Sequence, residues 1–207
     1  MKKIKAGVIV FPGTNCEKDT FDALMECGFN PEYIYANETN LKPFDMIILP
    51  GGFSYGDYIH SGRIAKFSPV INSIKNFNGL KIGICNGFQI LTEINLLPGA
   101  LLLNKSSHFI SKNQSLIFKN KKISLPVAHR EGRFYAPDDI LKKIKENNMI
   151  FLKYDTNPNG SIDNIAGLVD YKTKTLALMP HPERAVFKNL NNGCDGRLIF
   201  EFFKELI

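Results

Sequence analysis

The sequence predicts an α/β fold: a central, mostly parallel sheet flanked by helices, with a small antiparallel extension. Two observations carry this. Up to Pro98, short β-rich runs alternate with longer amphipathic ones, the pattern of strand-helix-strand units whose parallel sheet is covered on both faces. Beyond Pro98, short runs follow one another across polar turns, as antiparallel strands do. A chain of 207 residues with 44% hydrophobic content can bury one sizeable core, and no linker long enough to divide it is visible, so residues 1–207 are expected to form one domain.

The elements follow in order. A strand near Ala6 to Phe11 leads to a helix near Glu17 to Cys27, which Gly28 stops. Strands near Tyr33 to Ala36, Met46 to Leu49 and Lys81 to Ile84 come next, with helical stretches near Ile64 to Phe77 and Gly87 to Ile94. The extension reads as strands near Ser115 to Phe118, Lys121 to Leu125, Ile165 to Asp170 and Thr175 to Met179. A helix near Asp138 to Asn147 interrupts it, and a last helix spans Arg197 to Leu206.

Composition removes several functional classes. No apolar run approaches the ~18 residues of a membrane span, and Met1, Lys2 and Lys3 lead straight into a strand-like run, so a cytoplasmic protein is expected. Cysteines 16, 27, 85 and 194 show no C-x-x-C spacing and are expected as free thiols. The net charge of +6 comes from dispersed lysines without a recognition module, which argues against nucleic acid as a partner. His108 and His129 lack ligand spacing, so no metal is expected.

The sharpest local feature is Gly83-Ile84-Cys85-Asn86-Gly87, a G-x-C-x-G that follows an apolar strand and opens a helix. The glycines permit a tight strand-to-helix turn that exposes the central side chain. A cysteine at a helix N-terminus also feels the positive end of the macrodipole, which favours the thiolate. Its counterpart is Met179-Pro180-His181-Pro182-Glu183-Arg184, just after the apolar run Leu176 to Leu178. Pro182 disfavours helical geometry at His181, so the segment is expected to stay extended with His181 and Glu183 on one side. Glu183 then holds one ring nitrogen, leaving the other to move a proton to and from Cys85. Acyl chemistry also needs oxyanion donors, for which the backbone N–H of Asn86 and the Pro50-Gly51-Gly52 loop, through Gly52, are the candidates.

These motifs resemble the class I, triad-type glutamine amidotransferases, which share a flavodoxin-like fold, and within them the glutaminase subunits of phosphoribosylformylglycinamidine synthase. The resemblance spans nearly the whole chain, through Phe11 to Asp19, Pro50 to Tyr58, Gly83 to Leu91, Leu97 to Leu102, Pro126 to Phe134, Asn157 to Ser161, Leu178 to Ala185 and Asp195 to Phe200. It implies that Cys85 attacks the side-chain amide of L-glutamine, with Gln89 on the glutamine side of the pocket and His129 to Gly132, including Glu131, against the substrate backbone atoms. The glutaminase step would need no cofactor. ATP and Mg would belong to a large synthetase subunit, and a small third subunit would complete the complex.

Two positions depart from the family. Arg130 stands where glycine is usual, which would strain the loop if the glycine had positive φ. His60 replaces an arginine, exchanging a planar five-donor fork for a titratable ring. Two other readings are a glutaminase subunit serving another synthetase and a cysteine hydrolase of the DJ-1/PfpI type. The latter commonly places histidine directly after the nucleophile, where this chain has Asn86.

Overall fold

The computed structural model describes residues 3–57, 60–188 and 192–207. Met1 and Lys2, and Tyr58 at the end of the PGGFSYGDY run, lie outside them.

The N-terminal half supplies four of the five strands in the parallel part of one nine-stranded sheet. Its elements are β1 (Lys5–Val10), α1 (Glu17–Glu26), β2 (Asn30–Tyr35), β3 (Met46–Leu49), α2 (Val70–Lys75), β4 (Leu80–Ile84) and α3 (Asn86–Glu93). The remainder comprises β5 (Ala100–Leu102), β6 (Ile110–Phe118), β7 (Lys121–His129), β8 (Arg133–Tyr135), α4 (Asp138–Glu146), β9 (Ile150–Tyr154), β10 (Ile165–Asp170), β11 (Thr175–Leu178) and α5 (Gly196–Glu205). The strand order is β2-β1-β3-β4-β11-β10-β9-β6-β7, with β5 and β8 forming a separate antiparallel pair.

From β2 through β11 every pairing is parallel, and from β11 to β7 every pairing is antiparallel. The central strands β3, β4 and β11 are buried at every position, which is why they read as unbroken apolar runs. The last element of the chain to enter the sheet, β11, inserts beside β4 and therefore brings the residues after Leu178 next to those after Ile84.

Local sequence explains most boundaries. Gly28, at φ +86°, ends α1: the N–H of Gly28 reaches Met25 O and that of Phe29 reaches Leu24 O, closing the helix with paired turn bonds. The expected single helix over Ile64 to Phe77 is instead a 3-10 turn, Ile64–Phe67, followed by α2. Ser68 is extended between them, at φ −70° and ψ 143°, because Pro69 disfavours helical geometry in the residue before it. Strands β5, β8 and β9 are not among the expected elements, and β6 and β7 are longer than expected, extending to Ile110 and His129. No helix among the described residues is long and apolar enough to cross a membrane.

Candidate active site

Three loops meet at the C-terminal ends of the adjacent strands β3, β4 and β11, the edge where open parallel sheets place their ligands. Cys85 follows β4 with φ 50° and ψ −103°, a backbone conformation that a side-chain-bearing residue rarely adopts. Its N–H is fixed to Leu178 O at 2.8 Å, and its carbonyl accepts from Phe88 N at 2.9 Å, so strand and helix together hold the turn. The flanking glycines are a steric requirement. A Cβ on Gly87 would stand 2.0 Å from Leu49 O, and one on Gly83 2.6 Å from the Gly87 backbone.

His181 follows β11, its N–H bonded to Pro126 O at 2.8 Å. Pro182 does keep His181 non-helical, at φ −103° and ψ 86°, but the chain does not stay extended: residues Pro182–Ala185 form a 3-10 turn. That turn brings Glu183 back to the ring, with His181 Nδ1 2.6 Å from Glu183 Oε1 and both side chains almost wholly buried. Burial by itself disfavours the imidazolium. The charges of Glu183 and Cys85, with sulfur contacts from Cys16 and Cys85, outweigh it and raise the His181 pKa well above the ordinary histidine value. Nε2 is buried on the side left for proton exchange.

Gly52 lines the cavity together with Cys85, and Asn86 follows Cys85 in the chain. Asn86 opens α3, so its N–H has no acceptor within the helix. Gly52 has φ +148°, and a Cβ there would lie 2.7 Å from Asn15 N. The Asn86 side chain does a separate job, accepting from Ser54 N at 3.2 Å and donating to Gln89 Oε1 at 2.8 Å.

The cavity has two lobes that share Gly52, Phe53, Cys85, Phe109 and Ala128. One, about 230 Å³, is lined by Ser61, Gln89, His129, Arg130 and Glu131. The other, about 250 Å³, is lined by Asn15, Cys16, Ser111, His181 and Arg184. All three residues expected on the substrate side therefore lie in the first lobe, though their polar atoms are largely engaged. Gln89 Nε2 donates to Glu131 O at 2.7 Å, and Glu131 Oε2 accepts from Ser61 N at 3.0 Å and faces His60 Nδ1 at 2.9 Å. His129 Nδ1 meets Asn104 Oδ1 at 3.1 Å, and burial, then the nearby His181, lowers its pKa to about 4. A larger hollow of about 520 Å³ beside Leu41, Phe44 and Phe77 is lined by no cysteine, histidine or carboxylate.

One participant carries no usable sequence signal. Asn104 donates to the carbonyls of His108 and His129 and accepts from Gly132 N, pinning the loop after β7, yet it reads as an ordinary asparagine. Cys16 is buried beside His181, its sulfur 3.1 Å from Arg184 Nη2. Donor atoms of Cys16, His181 and Glu183 lie within 4.8 Å of one another, close enough for a metal. The guanidinium on the sulfur and the His181 to Glu183 bond already engage them.

The model of the CobB/CobQ-like glutamine amidotransferase domain matches residues 3–197. The chain belongs to this family. Among solved structures, it is 39% identical to a chain of the "Structure of PurLQS from Thermotoga maritima", covering 99% of each chain with a TM-score of 0.90. A protein from Thermoplasma acidophilum described as a GMP synthase component is 16% identical, with 100% of this chain and 94% of that one covered and a TM-score of 0.68. A glutamine amidotransferase from Thermotoga maritima is also 16% identical, with 100% and 85% covered and a TM-score of 0.57. At that identity these two share the fold. As a glutamine amidotransferase, the chain has its elbow cysteine and its histidine-glutamate pair on two strands hydrogen-bonded to each other, which fixes their relative placement through the main chain.

Proposed function

We propose that the chain is the glutaminase subunit of phosphoribosylformylglycinamidine synthase, supplying ammonia for the step of purine biosynthesis that converts formylglycinamide ribonucleotide to formylglycinamidine ribonucleotide. The observation that carries the glutaminase part is the strained Cys85 turn held against the strand bearing His181 and Glu183. The choice of synthetase is supported by the full-length similarity to the PurLQS chain, at 39% identity, together with the motifs shared with that family of subunits.

In the mechanism that follows, the Cys85 sulfur attacks the glutamine side-chain carbonyl carbon while His181 Nε2 takes the thiol proton. The oxyanion forms between the N–H groups of Gly52 and Asn86. Collapse breaks the C–N bond, His181 returns the proton to the departing nitrogen, and ammonia leaves a glutamyl thioester. Water, deprotonated by the same ring, then releases glutamate and restores the thiol. Glu183 keeps the ring in the tautomer with Nδ1–H and stabilises its charged form. No cofactor enters these steps. ATP and Mg are used on the large synthetase subunit, and a small third subunit completes the assembly.

The test is product formation by the reconstituted complex. Cys85→Ala should abolish glutamine-dependent synthesis and leave ammonia-dependent synthesis intact. Persistent glutamine-dependent activity would remove the nucleophile assignment, and failure to support this particular synthetase would remove the pathway assignment.

A further inference from the structure

His60 stands beside the lobe assigned to glutamine, between two carboxylates from different parts of the chain. His60 Nδ1 is 2.9 Å from Glu131 Oε2, and its Nε2 is 3.6 Å from Glu93 Oε1 near the end of α3. A neutral imidazole has one N–H and one acceptor nitrogen, so it can donate to only one of these carboxylates. The 2.9 Å contact to Glu131 is within hydrogen-bond distance, and the 3.6 Å approach to Glu93 is that of an ion pair. Among the described residues, the charged groups facing His60 are Glu131 from the loop after β7, Glu93 of α3 and Arg63 of its own segment, whose Nε lies 3.5 Å from Glu93 Oε2.

The surroundings make this contact consequential for the pocket. Ser61, next to His60, donates its N–H to the same Glu131 oxygen. Gly62 lies flat on α3, where a Cβ would stand 2.9 Å from Ile90 N. From Glu131 the bonds run on through Gln89 and Asn86 to Ser54 N, close to Gly52. Ser61, Gln89 and Glu131 all line the lobe that the proposed function assigns to glutamine.

We propose that His60 is a positioning residue for glutamine recognition, a clamp that holds the Ser61 segment and the Glu131 loop together around the substrate lobe. It touches no reacting atom. Removing the ring takes from Glu131 its 2.9 Å partner and leaves that carboxylate the bond from the Ser61 N–H, the loops loosen, and glutamine binds more weakly while the Cys85 chemistry stays in place. The inference rests on the glutaminase reading given above.

Glutamine affinity is measured by calorimetry on the Cys85→Ser chain, and KM and kcat for glutamine hydrolysis on the otherwise native chain with its synthetase. His60→Ala should raise Kd and KM about five-fold, with kcat changed less than about two-fold, the effect of a part-buried ion pair. His60→Arg, which keeps N–H donors for the two carboxylates, should retain tight binding. Equal Kd for His60→Ala and the parent, or binding by His60→Arg as weak as by His60→Ala, would overturn the clamp while leaving the glutaminase reading standing. If the Cys85→Ser chain binds no glutamine and the native chain hydrolyses none, the functional reading falls and the clamp falls with it.

Discussion

The two sides of the pocket are built by different means. On the side proposed to be catalytic, Cys85, His181 and Glu183 follow the paired strands β4 and β11, and main-chain bonds from Cys85 to Leu178 and from His181 to Pro126 set their positions. On the side proposed to hold glutamine, loops are joined by side chains: Asn86, Gln89, Asn104, Glu131 and His60 each bridge two segments. The catalytic side should therefore tolerate changes in its neighbours and fail sharply when a reacting group is altered. The glutamine side should respond in smaller, graded steps, chiefly in affinity.

The largest expected effect that would sharpen this contrast is at Glu183. Glu183→Gln preserves size but changes what Nδ1 meets at 2.6 Å, so the ring can adopt the wrong tautomer. A fall in kcat of about a thousand-fold is expected, with KM within about three-fold, by analogy with the cost of disturbing the orienting acid of a catalytic triad. Steady-state kinetics with glutamine decide it. A loss confined to KM would place Glu183 on the recognition side instead.

A smaller effect is expected at His129, and it concerns stability. The folded chain favours the neutral ring, with a pKa lowered to about 4, so the unfolded chain binds the additional proton first. The contribution is complete above about pH 6.5 and is lost as pH falls through the window down to about 4, at a cost of about 3 kcal/mol. His129→Asn keeps an N–H donor for Asn104 and should flatten that part of the curve in urea melts recorded across the window. An acid limb as steep as the parent's would mean that His129 titrates normally.

The same division explains what could be read from sequence. Cys85, His181 and Glu183 occur in two short motifs whose placement follows from parallel-strand alternation, and buried strands such as Met46–Leu49 and Ile165–Asp170 declare themselves as apolar runs. The glutamine side is assembled from residues far apart in the chain, such as Asn104 with His129 or Ser61 with Glu131, and no local pattern records those pairings. Strand β9 is hidden for a related reason. Its sequence, Ile150 to Tyr154, alternates buried and exposed only from Leu152 to Tyr154, too short a signal by itself, and pairing with β10 and β6 makes it a strand.

The smallest expected effect is at Arg130, where the sequence suggests the greatest disturbance. Its backbone is not among those with positive φ, so the conformation that would have demanded glycine does not occur there. The exposed side chain reaches Ser107 O at 3.3 Å, while the Arg130 carbonyl accepts from Asn104 N at 2.8 Å, a bond that glycine would make equally well. Arg130→Gly should accordingly change glutamine KM by less than about two-fold, the added chain freedom of glycine being offset by the Asn104 bonds that pin both sides of the loop. A several-fold drop in KM would show that the arginine displaces the loop after all. A several-fold rise would show that its side chain, and not only the Asn104 network, shapes the substrate lobe.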